Sequence, residues 1–280
     1  MQEPQIRVGI MYEPEIIFRL NETYLLAPKG IPYERIQKVN YRDGKIWLND
    51  EPVDDEILVF NPVRYHEASF ELNDVTIGIH FHWERKEDQT FKGSLEIRIE
   101  NEKLIAINIL PLEDYLVSVI SSEMSATSNI ELLKAHAIIS RSWLLAQNEK
   151  SQSISQSGDH YQTITETPEE YIRWYDREDH LNFDVCADDH CQRYQGITRQ
   201  STLLVEQAIA ETRGMLLMHN GKICDARFSK SCGGITETFE NVWEPKVHPY
   251  LQSITDNATL TDGCNTDLTN EEAAQKWIRT

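Results

Sequence analysis

Three groups of side chains in this 280-residue sequence have the types and spacing for chemistry. The first is one carboxylate. The stretch PLEDYLVSVISSEM, residues 111–124, ends an amphipathic pattern by placing Glu123 between Ser122 and Met124. A carboxyl group partly enclosed by apolar neighbours such as Val119, Ile120 and Met124 has its charged form disfavoured, which moves it toward the working range of a general acid. On spacing alone a solvated glutamate at a helix end is the commoner arrangement. The second group is a pair of cations, Lys134 and Arg141, seven residues apart and so on nearly the same face of a helix. They could orient an anionic substrate group or stabilise developing negative charge; the alternative pairs Lys134 with Glu131. The third is HLNFDVCADDHCQRYQG, residues 180–196, where His180, Cys186, His190 and Cys191 bring nitrogen and sulfur donors close in sequence. Zinc takes such donors in tetrahedral geometry, and a metal that closes a long loop helps to order it. A Cys186–Cys191 disulfide and plain buried thiols are the alternatives.

These residues need elements to hold them. Residues 1–108 read as a β-rich unit: IRVGI, EIIFRL, KIWLN, EILVF, VTIGIHFHW, SLEIRIE and KLIAINIL are short, rich in Ile and Val, and mostly alternating. Asp43-Gly44 is a two-residue hairpin signal. His80 and His82 would share one face of a strand. At Pro111 the period changes to that of a helix, with Glu113 and Asp114 suited to its positive N-terminal end. Ser128 with Glu131 makes a capping box for a second helix, residues 130–150. A long loop or insertion spans 150–196, a helix runs from about Ser201 to Thr212, and Asn220-Gly221 marks another hairpin. The expectation is an α+β protein, with a mostly β N-terminal domain at 1–108 and a helical core packed with antiparallel strands at 109–280.

The totals exclude some classes. A net charge of −19 argues against nucleic acid and gives no attraction to anionic membranes. No apolar run reaches the roughly 18 to 20 residues of a membrane span, and the first residues, MQEPQIRVGI, do not read as a secretory signal. Five cysteines are too few for a disulfide-built scaffold. Cys232 and Cys264 could pair in an exported protein, and Cys232-Gly233-Gly234 reads as a tight turn rather than a nucleophile site. Tyr161, Tyr171, Trp174, Tyr175, Tyr194, Trp243 and Tyr250 could stack on sugar rings, although core packing is the commoner use of such residues.

PLEDYLVSVISSEM followed by ELLKAHAIISRSWLLAQ closely resembles the signature of the sporulation stage II protein D and LytB amidase-enhancer family. FSKSCGGITETFENVW and HPYLQSITD are similar to its later segments, so the resemblance covers about residues 105–256. It implies a lytic transglycosylase acting on peptidoglycan glycan strands stripped of stem peptides, cleaving between N-acetylmuramic acid and N-acetylglucosamine with Glu123 as general acid/base. Lys134 and Arg141 match the family's cation positions; Lys230 and Ser231 match its S-x-S-C stretch as further substrate-binding residues. Zinc associated with the family's 180–196 region implies a structural ion on His180, Cys186 and Cys191, with His190 or a water or substrate oxygen as the fourth ligand. His136 and Trp143 depart from the pattern, standing where glutamine and tyrosine are usual. A non-catalytic peptidoglycan-binding enhancer of a partner cell-wall amidase is the alternative that the family name carries. Location in the cell envelope follows from the substrate alone.

Overall fold

The computed structural model describes residues 3–157, 164–173, 180–199, 201–229, 231–256 and 270–278. Lys230, Cys264, Tyr161, Trp174 and Tyr175 lie outside these, so the expectations placed on them have no structural counterpart here.

Ten strands occupy the first part of the chain: β1 Gln5–Glu13, β2 Glu15–Ala27, β3 Ile31–Arg42, β4 Lys45–Leu48, β5 Glu51–Val53, β6 Ile57–Pro62, β7 Phe70–Ile77, β8 Arg85–Phe91, β9 Ser94–Glu100 and β10 Lys103–Pro111. Helices α1 (Leu112–Glu123) and α2 (Ile130–Ser157) follow, then a small hairpin of β11 (Ile164–Glu166) and β12 (Tyr171–Arg173). The chain continues through β13 (Val185–Cys186), α3 (Leu203–Glu211), the hairpin of β14 (Met218–His219) and β15 (Lys222–Ile223), and α4 (Glu271–Ile278). The fold is α+β.

Alternation decides the sheet. In β2 the residues Ile16, Phe18, Leu20, Tyr24 and Leu26 are buried while their neighbours face outward, the period-2 pattern of a half-buried strand. The main sheet runs β13-β1-β10-β9-β6-β2-β3-β4-β5, with β7 pairing β2 and β8. All its pairings are antiparallel except that of β13 with β1. Asp43-Gly44 and Asn220-Gly221 form the expected two-residue turns, with φ positive at all four residues. The strand expected through IHFHW ends instead at Ile77. Residues 78–84 make tight turns, with His80 at φ 68°, so His80 and His82 do not share a strand face. The strand that carries on, β8, is RKEDQTF, whose charges belong to a strand paired on one side only, with Gln89 and Phe91 buried.

β10 passes directly into α1, whose Leu112, Tyr115, Leu116, Val119 and Ile120 are buried. Pro111 offers no capping side chain; Glu3 supplies the acceptor, its Oε1 taking the Glu113 N–H at 2.8 Å. For α2 the capping residue is Asn129 rather than Ser128, its Oδ1 accepting the Glu131 N–H at 2.9 Å. The helix runs to Ser157, past the expected end near 150. The expected boundary at 108/109 falls inside β10, and one apolar core runs across it from Ile6, Phe18 and Leu104 to Leu116, Leu133 and Val205. Burying each such side chain stabilises by roughly 1.5–3 kcal/mol.

The segment that concerns the site, 180–196, is fastened to the sheet edge. Val185 and Cys186 align with Val8 and Gly9 of β1. Gly9 is glycine for a steric reason: a Cβ there would lie 2.6 Å from the Phe183 ring. Tyr194 is buried, stacked on Tyr115 at 5.2 Å and Phe91 at 5.9 Å, and its hydroxyl donates to Asn108 Oδ1 at 2.6 Å. At Gly196, φ is 57° and a Cβ would sit 2.2 Å from the Thr90 carbonyl oxygen, so only glycine lets the chain leave here without strain.

Candidate functional site

Glu123 closes α1, partly buried. Its Oε1 accepts the backbone N–H of Arg193 at 2.8 Å, and among the described residues Oε2 has no hydrogen-bond partner. One oxygen is therefore anchored to the backbone while the other is available to exchange a proton. The anchoring chain lies along the same helix through two further contacts: the Tyr115 hydroxyl donates to Gln192 Oε1 at 3.2 Å, and Gln195 N–H donates to Ser118 Oγ at 3.2 Å. Residues 192–195 thus serve the polar side of α1 while its apolar side faces the core.

Immediately upstream lie the His/Cys donors. One ligand atom from each of His180, Cys186, His190 and Cys191 falls within 4.8 Å of every other, so the four could hold a metal ion. Neighbours His190 and Cys191 both converge because the chain turns tightly there, Cys191 N–H donating to Asp188 O at 3.1 Å. His180 is oriented by stacking on Phe183 at 4.4 Å, the ring that covers Gly9. The Cys186 thiol is held far below its ordinary range, first by hydrogen bonding with Cys191, against the upward push of burial, and then by His180 and His190. A thiolate is the form that binds a metal. Cys186 and Cys191 are not joined by a disulfide, and Cys232 lies 3.8 Å from Asp256 Oδ2.

The cations are arranged otherwise than expected. Arg141 is 1% exposed and makes a two-pronged ion pair with Glu113, at 3.0 and 2.7 Å, and it also donates to the Met215 carbonyl at 3.2 Å. A guanidinium so enclosed cannot meet a glycan; it ties α2 to the start of α1. Lys134 bonds Glu131 at 3.0 Å and Glu211 of α3 at 2.6 Å. Ser231 is exposed, its Oγ accepting the Gly233 N–H at 3.5 Å. Tyr194 is core, whereas Tyr171 and Trp243 are exposed. Sequence reasoning missed Glu113 as the partner of Arg141, Arg193 as the residue that holds Glu123, and Arg227, whose guanidinium lies 4.4 Å over Trp243 beside an ion pair with Asp225. The i to i+28 spacing of Glu113 and Arg141 carries no periodic signal.

Comparison with known proteins bears on this geometry. The family model described as stage II sporulation protein, SpoIID, matches residues 100–219, which include Glu123, the four donors and Arg193. That match covers 120 of the chain's 280 residues. Stage II sporulation protein D of Bacillus subtilis is 27% identical over 169 residues, which cover 59% of this chain and 45% of that protein. The amidase enhancer of Bacillus subtilis is 29% identical over 163 residues, covering 58% of this chain and 18% of the enhancer. An uncharacterized protein of Brachyspira hyodysenteriae is 29% identical over 244 residues, 87% of this chain and 50% of that protein. The chain thus spans half or less of the length of these relatives.

Within the matched residues, His136 stands out on α2. It is 1% exposed, neither ring nitrogen has a hydrogen-bond partner among the described residues, and its ring meets Phe228 edge-on at 4.9 Å. Burial pushes its pKa down from 6.5 to about 4. Between those values the unfolded chain holds a proton that the folded chain does not, so stability falls as the pH drops through this window, by about 3 kcal/mol at its acid end. Replacing His136 by Gln is expected to flatten that part of a stability-against-pH curve measured by urea unfolding. The ion pair gives a second expectation. Arg141→Met leaves Glu113 buried without its partner and should cost roughly 3–5 kcal/mol of unfolding free energy, while Glu113→Leu combined with Arg141→Met recovers most of it. A substrate-contacting arginine would instead lose activity at unchanged stability.

Proposed function

We propose that this chain is a peptidoglycan lytic transglycosylase that cleaves between N-acetylmuramic acid and N-acetylglucosamine in strands stripped of stem peptides. The observation that carries the reading is the Glu123 carboxyl group, with Oε1 on the Arg193 amide at 2.8 Å and Oε2 unengaged among the described residues. Hydrolysis with two carboxylates needs a nucleophile or an activated water. Here one group suffices because the substrate supplies the nucleophile. Protonated Glu123 gives its proton to the glycosidic oxygen as the bond from the anomeric carbon breaks. The resulting carboxylate takes the proton of the muramic acid C6 hydroxyl as that oxygen attacks the anomeric carbon. A 1,6-anhydro ring forms, no water is consumed, and Glu123 returns to its starting form. The names of the relatives support a role at the cell wall, outside the cytoplasm, with an amidase as a partner. No helix among the described residues is long and apolar enough to cross a membrane.

Zinc is the metal that suits the four donors. With bonds of about 2.3 Å to sulfur and 2.0 Å to nitrogen, tetrahedral S···N edges come to about 3.5 Å. The separations are 3.4 Å for Cys191–His180, 3.4 Å for Cys191–His190 and 3.8 Å for Cys186–His190. With four protein donors the site is closed, so the ion would supply structural order rather than Lewis-acid chemistry. The residues that follow it, 192–195, position Glu123.

Glu123→Gln should lower release of anhydro-muramyl products from denuded strands by roughly 10²–10⁴-fold, read by mass spectrometry, with glycan binding retained. Retained binding without products from the native protein would instead favour the non-catalytic amidase enhancer. Elemental analysis should find about one zinc per chain. Cys186→Ser should lower both the zinc content and the thermal midpoint, whereas a metal-free chain with an unchanged midpoint would remove the zinc assignment.

A further inference from the structure

We propose that a small cavity between β1, β7, β8 and β13 is a subsite that reads the N-acetyl group of an amino sugar; the proposal rests on the glycan reading above. The cavity holds about 70 Å³ and is walled by Ile10, Val75, Ile77 and Ile79, with Cys186 at one side. Gln89 also lines it, and this residue is 1% exposed with no hydrogen-bond partner for its Oε1 among the described residues. A buried polar atom left unpaired costs about 1–3 kcal/mol. By volume the cavity admits water, but a buried water needs two to four polar partners and these walls are mainly apolar. Asp188 lines the space too, yet its carboxylate already accepts the N–H groups of Gly78 and Ile79, at 3.3 and 3.1 Å. An acetamido group meets both demands at once: its methyl fits an apolar wall, and a rotation of the Gln89 carboxamide, whose Oε1 is covered in this structure, would bring that oxygen to its amide.

The surroundings point to a sugar as the carrier of that group. Ile79 belongs to the turn-rich loop 78–84, which presents Phe81 half exposed. The Phe81 ring stacks on Trp83 at 5.4 Å, and Trp83 is capped by the Arg193 guanidinium at 5.0 Å. A flat aromatic face beside a polar, partly apolar slot is how proteins hold a pyranose ring bearing a small amide. The same stretch of chain, 186–193, walls the cavity at its start and holds Glu123 at its end.

The test uses the metal-loaded full chain carrying Glu123→Gln, titrated with a β-1,4-linked tetramer of N-acetylglucosamine and with its de-N-acetylated counterpart. Calorimetry at high salt suppresses attraction between the cationic second oligomer and a chain of net charge −19. The acetylated oligomer should bind about tenfold more tightly or better. Adding Gln89→Leu should erase most of that preference without lowering the thermal midpoint, since it removes an unpaired buried polar group. Phe81→Ala should weaken both oligomers alike. Equal affinities, a preference that survives Gln89→Leu, or no binding of either oligomer overturns the subsite. The cleavage reading fails separately: native protein that shows the acetyl preference yet forms no anhydro product would lose the catalytic assignment and keep the subsite.

Discussion

Helix α1 is buried on most of its circumference, so its few polar groups have to be answered by protein rather than by solvent. Residues 192–195, which have no regular structure of their own, provide the answers: Gln192 for Tyr115, the Arg193 amide for Glu123, and the Gln195 amide for Ser118. Tyr194 fixes the depth of this stretch by stacking between Tyr115 and Phe91, and Gly196 lets it leave against the backbone of β8. Most other features near the site follow from that arrangement. A stretch without helix or strand hydrogen bonds holds one position only if its ends are fixed, and the His/Cys turn fixes the upstream end.

Much of this was legible in the residues. The period-2 strands, the switch to helical spacing at Pro111, the two Asx-Gly turns and the close grouping of His180, Cys186, His190 and Cys191 are all local patterns, and local patterns survive in sequence. Pairings made across the fold did not show. Arg141 reads as a surface cation because its neighbours on the helix are compatible with either face; only the arrival of Glu113 from α1 buries it. RKEDQTF carries no strand signal because a strand paired on one side needs few apolar residues. The strand expected at IHFHW failed because Gly78, at φ 69° and pressed by Trp83, turns the chain before the histidines.

The division into a β domain and a helical domain was a reasonable reading of composition, since strands dominate before residue 108 and helices after it. The sheet itself ignores that division. β10 belongs to both parts, β13 returns to pair with β1, and the Glu3 carboxylate caps α1 from the other end of the sequence. The N-terminal unit is built into the walls around residues 100–219 rather than appended to them, which is why its loop 78–84 can approach Arg193.

The pairing of β13 with β1 has a consequence for how the molecule comes into being. Arg7 N–H bonds Asp184 Oδ2 across 177 residues of chain, so the edge of the sheet is completed by something made late. On a ribosome, β1 must wait beside β10 with its outer hydrogen-bonding groups open until that distant stretch emerges. Contacts of such high order form slowly, and an open edge invites pairing with other chains in the meantime. The thiols that arrive to close it are thus drawn into place by the act of finishing the sheet.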